Sequence, residues 1–166
     1  MRQLRTIFIR HAIRLLLAPA LATLPGCASK PDAPTAANFG GGWHVTWCDR
    51  TNPALDCGGF DVQLVQEGKR LCGDFGGALV NLRQIDDGPV EGTVVGTTAM
   101  LSVQSNRNGS IHLVRAELQG DALNWKVVDQ IREADNNDVD VIASDEVLQR
   151  DAPPPTRTCR DITGKP

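Results

Sequence analysis

The chain has 166 residues, with 17 Lys and Arg against 20 Asp and Glu and a net charge of −3. That length supports one domain around one core. The acid excess opposes nucleic-acid binding, which needs a basic surface.

Residues 1–26 carry Arg2, Arg5, Arg10 and Arg14, no acid, and an apolar run over 15–24. This is the charged start and short apolar stretch of a secretory signal. A spanning helix needs about 20 apolar residues, and Pro19 interrupts this shorter run, so it does not read as a permanent membrane anchor. Leu24-Pro25-Gly26-Cys27 follows. It resembles the lipobox of bacterial lipoproteins, which implies cleavage before Cys27, diacylation of the Cys27 sulfur and acylation of the new amino terminus. Acyl chains bind a bilayer durably, at about 0.8 kcal/mol per buried methylene. Residue 28 is Ala, not the Asp that commonly retains such lipoproteins in the inner membrane. The resemblance therefore implies the outer membrane, facing the periplasm. Without the leader, thirteen bases face twenty acids, a net charge near −7.

Residues 27–40, the lipid-bearing Cys and a small, polar, proline-containing stretch, read as a flexible tether. From 41 to 150 the chain alternates with period two between glycine turns. Trp43, Val45 and Trp47 alternate with His44, Thr46 and Cys48; Phe60, Val62 and Leu64 alternate with Asp61 and Gln63. Gly68 turns the chain and 71–75 returns. Further strands are predicted at 79–85, 90–95, 99–105, 111–118, 123–128, 139–143 and 147–150. Asn106-Arg107-Asn108-Gly109 and Gly120-Asp121 read as turns, as does Asp86-Asp87-Gly88-Pro89. Gly58-Gly59 and Gly76-Gly77 read as turns or bulges. The proline-rich 151–166 reads as an extended tail, and no convincing amphipathic helix is present. The expectation is all-β: an antiparallel up-and-down meander of about eight strands closed into a small barrel, which hides its edges. A β-sandwich is the alternative that spacing alone does not separate.

Beyond Cys27 the cysteines are Cys48, Cys57, Cys72 and Cys159. An even count in an exported chain reads as two disulfides, and the spacing lacks the tight pairs of a zinc site. With a turn at Gly68 and Lys69, Val65 lies opposite Cys72. Cys57 then falls beyond the ~7 Å reach of a disulfide to Cys72. Cys48–Cys57 would staple the first loop. Cys72 faces outward, where the tail can bring Cys159 to it.

Gly41-Gly42-Trp43 opens the first strand and Arg150 ends the last. This resembles the calycins, the lipocalin and avidin-like barrels. There a Gly-x-Trp motif starts the first strand and an Arg near the end of the last packs across the Trp. The resemblance implies that role for Gly41, Trp43 and Arg150, with a cation–π contact of about 0.5–2 kcal/mol.

No nucleophile, acid–base pair or phosphate-cradling motif stands out. His44 and His112 alternate with apolar residues and are expected on the outer face. Asp86-Asp87 reads as a solvated turn. Glu133, Asp135, Asn136, Asn137, Asp138 and Asp140 are oxygen-rich but lack the glycine and final glutamate of an EF-hand loop, and read as a solubilising loop. Trp43, Trp47 and Trp125 read as core, or more sharply as the lining of a ligand cavity.

The expectation is a lipid-anchored, periplasm-facing, non-catalytic barrel that holds a small apolar molecule and uses no cofactor or metal. One alternative is an inhibitor or immunity protein whose acidity suits a basic envelope hydrolase of lysozyme type. Another is a structural envelope lipoprotein.

Overall fold

The computed structural model describes residues 37–163; the leader and Cys27 lie outside them. Eight strands follow in order: β1 (Gly41–Trp47), β2 (Gly58–Glu67), β3 (Arg70–Ala78), β4 (Ile85–Val95), β5 (Thr98–Gln104), β6 (Ile111–Gln119), β7 (Ala122–Arg132) and β8 (Asp145–Ala152). Each pairs antiparallel with the next. β8 returns to β1 through Trp43↔Arg150 and His44↔Gln149, closing the barrel. The meander is thus a barrel, not a sandwich.

Alternation builds it. Side chains two apart share a face of a strand. Phe60, Val62 and Leu64 of β2, with Ala99, Leu101 and Val103 of β5, are buried inside. Trp43, Phe60, Trp125, Leu123 and Leu148 belong to one buried core, and Phe60 lies 5.5 Å from Phe75 and 5.2 Å from Trp125 between ring centres. Each such side chain contributes about 1.5–3 kcal/mol on burial. Gly68 turns β2 into β3 at a φ of 62°, which glycine adopts without steric cost, and Val65 does lie opposite Cys72.

The disulfides are Cys48–Cys57 and Cys72–Cys159. The second pins a short helix, α1 (Cys159–Thr163), over the outer wall, where Val65, Cys72, Cys159 and Ile162 form a second small core. The tail is therefore not extended throughout. Its first residues, 151 and 152, belong to β8.

Several elements differ from the sequence reading. The strand predicted at 79–85 is a 3₁₀ turn, Val80–Leu82, between β3 and β4. The acidic turn at 86–89 lies instead within β4. β5 pairs with β4 only from Val90 onward, so Pro89 sits where one side of β4 has no strand partner, a setting that tolerates proline. Gly58-Gly59 and Gly76-Gly77 lie inside β2 and β3. The segment 139–143 pairs with no strand. It crosses one end of the barrel with Val141 and Ala143 buried. Gly77 makes room for it, because a Cβ there would collide with the Val141 carbonyl. Finally, 37–40 are not tether: Phe39 is fully buried in the barrel core.

Candidate functional site

The two ends of the barrel are built differently. At the end where β1 begins, Phe39 caps the interior. Its carbonyl accepts the Trp43 indole N–H at 3.0 Å, and its own N–H donates to Gln66 Oε1 at 2.7 Å. The Arg150 guanidinium lies 3.9 Å from the Trp43 ring and donates to the Gly40 carbonyl at 2.7 Å. A Cβ on Gly41, at φ 140°, would run into that guanidinium. Gly41, Trp43 and Arg150 are thus brought together at the base. The hairpin turns 68–69, 96–97 and 120–121 at this end carry only Lys69 and Asp121 as charges.

The opposite end is closed by polar bonds. Asp86 faces inward opposite Gly77 and is 3% exposed. Its carboxylate accepts from Ser105 Oγ at 2.7 Å, from the Asp87 and Arg107 backbone N–H groups at 2.9 and 3.2 Å, and from the Val141 N–H at 3.1 Å. One side chain ties β4, the 105–110 turn and the crossing segment together. Asp140 repeats the device, with Ser110 Oγ at 2.8 Å and His112 Nε2 at 3.0 Å. Burial works to raise the Asp140 carboxyl, but hydrogen bonds from His112, Ser110 and Asn108, with the His112 charge, hold it below the usual carboxylate range. The Trp125 indole N–H donates to the Ala143 carbonyl at 2.8 Å, and Val127 N–H to Ser144 at 2.7 Å.

Around this latch runs an exposed rim. Ile85 is 62% exposed, Val139 58% and Leu82 52%. Beside them, 129–146 holds seven acids and one base, Arg132. The acids of this loop have separate partners: Asp135 meets Arg132 and Asp138 meets Arg107, both at 3.5 Å, while Asp140 meets His112. Among the described residues no group of three or more His, Cys, Asp or Glu side chains is placed to share a metal ion.

The tryptophans do not line an open space together. Trp43 and Trp125 are 0% exposed, and both indole N–H groups are spent on backbone carbonyls. Trp47 is half-buried at the rim and donates to Glu146 at 3.2 Å. His44 is on the outer wall as expected, 3.7 Å from Asp151. His112 is not. It pairs with the buried Val103 on the inward face, because the alternation that puts Val114 and Ala116 inside reaches it too. Asp61, on the outer wall near His44 and Asp151, has its carboxyl pushed up by desolvation and by the Asp151 carboxylate, against the pull of His44.

The sequence reading missed Phe39, Asp86 and the exposed apolar rim. Phe39 carried a signal, a lone aromatic just ahead of Gly41-Gly42-Trp43. Asp86 carried none, since acid-acid-Gly-Pro is ordinary turn composition. The chain matches no protein-family model, no curated protein and no solved structure.

Proposed function

We propose that this protein is a lipid-anchored, non-catalytic protein-binding module of the bacterial cell envelope, working from the periplasmic face of the outer membrane. Its partner is a basic protein, and an envelope-degrading hydrolase of lysozyme type fits that chemistry. The observation that carries this reading is the filled interior. Phe60 packs on Phe75 and Trp125 where a lipocalin-like barrel would hold a ligand, Trp43 belongs to the same buried core, and the 139–143 segment covers the mouth. Binding then falls to the outside, and the rim joins exposed apolar side chains to a dense run of acids. Apolar contact supplies affinity and the acids steer a basic partner. Cys27 is the proposed lipid attachment, and the chain enters the barrel at the end away from the rim.

A panel of basic lysozymes and peptidoglycan amidases, assayed with excess protein, tests this. Inhibition weakened by salt is expected, because exposed charges are screened. Undiminished activity across the panel, together with a small apolar molecule recovered by solvent extraction, would return the barrel to the small-molecule reading.

A further inference from the structure

We infer that Leu82 is the anchor with which the rim grips its partner, a basic protein offering an apolar cleft; this rests on the protein-binding reading above. The 79–84 loop is firmly held. Leu79 N–H donates to the Gln84 carbonyl at 3.0 Å, and Leu82 N–H to the Leu79 carbonyl at 2.9 Å. Asn81 N–H reaches the Asp56 carbonyl at 2.7 Å, joining this loop to the disulfide-closed one before β2. Within it, Asn81 has φ 64° and Leu82 has φ 50°. Asn tolerates the left-handed region, but Leu does not, because its Cβ crowds the following carbonyl.

The strained residue is also the one that displays its side chain to water. Folding alone gains nothing from that combination: a glycine would relax the backbone and remove the exposed apolar surface. Strain held in place by surrounding bonds marks a position kept for another purpose. Leu79 and Ile85 flank it, both exposed. The ridge is continuous with the acidic arc, because Arg107 donates to the Ile85 carbonyl at 3.4 Å and meets Asp138. The ridge itself carries the exposed Arg83 and borders Arg107, but the seven acids of 129–146 against one base leave the joined surface net acidic, which complements a basic protein. The same acids repel an anionic lipid surface and the matching arc of a second copy.

The test places a photo-crosslinking benzoylphenylalanine at 82, 139 or 95 of the full chain in the cells that make it. Val95 is an exposed control at the far end. One protein of net positive charge should be captured from 82 and 139 and not from 95. Purified, that protein should bind Leu82→Ala and Leu82→Gly about tenfold or more weakly than the parent. Leu82→Gly should at the same time melt at an equal or higher temperature, which a merely structural Leu82 does not allow. Capture from 139 without 82, or full affinity of both variants, overturns the anchor and leaves the protein-binding reading. Capture at 82 of lipid, a second copy or an acidic protein overturns the partner chemistry. No protein captured from 82 or 139 overturns both.

Discussion

The base and the rim of this barrel solve the same problem, closing a greasy interior, with opposite chemistry. At the base the seal is aromatic: the Phe39 carbonyl accepts the Trp43 indole N–H, and the Arg150 guanidinium lies over the Trp43 ring. At the rim the seal is a carboxylate network, in which Asp86 and Asp140 gather donors from segments far apart in sequence. An apolar seal is indifferent to its surroundings. A carboxylate seal depends on every donor being present, since an unmade bond to a buried carboxylate costs more than a made one contributes. Among the described residues the exposed apolar side chains Leu79, Leu82, Ile85 and Val139 lie at the hydrogen-bonded end, beside the acids of 129–146, whereas Val95 stands exposed at the other.

Removing the Cys72–Cys159 bond by a double change to Ala should have the largest effect on stability. On the chain-entropy model a loop of 87 residues is worth about 4–5 kcal/mol, against about 2–3 for the 9-residue loop of Cys48–Cys57. Denaturant titration of the two double variants gives that order directly; equal losses would contradict it. Trp43→Ala should follow, at about 3–5 kcal/mol, through the emptied base of the barrel. Asp86→Ala should cost about 2–4 kcal/mol, with a distinct footprint. Amide exchange should quicken over 105–110 and 139–143 and stay slow through β1. Uniform quickening would show that the two ends are not separable.

Two carboxylates sharpen the comparison by pH. The Asp140 pKa is lowered in the folded state from 3.8. Its contribution is therefore fully present above 3.8 and lost as pH falls through the lower folded value. Asp140→Asn should destabilise at pH 7 and flatten the decline in stability below pH 3.8. Asp61 is raised from 3.8, so the wild type loses a little stability as pH rises through that raised value. Asp61→Asn should give a small gain at pH 7 that disappears in acid, the smallest effect of the set because the group is exposed. Gains of the same sign for both variants would contradict the assignment.

Much of the barrel was legible because its signals are local. Period-two alternation fixed which residues of β2 and β5 face inward, and Gly68 fixed the register that keeps Cys57 away from Cys72. The same local logic failed where long-range contacts decide. Val141 and Ala143 alternate like a strand, yet their backbone partners are the Asp86 carboxylate and the Trp125 indole, so the segment crosses the mouth instead of joining the wall. His112 obeyed alternation but was placed on the wrong face. Asp86 looked solvated because nothing beside it in sequence reveals Ser105 or Val141 as neighbours. The left-handed backbone at Leu82 has no sequence signal at all, since leucine does not favour that conformation.

The most direct test of a filled barrel that works from its rim is native mass spectrometry of the full chain isolated from the cells that make it. The account predicts polypeptide plus covalent lipid, with any further mass belonging to a basic protein. A retained apolar small molecule, released only on unfolding, would contradict it.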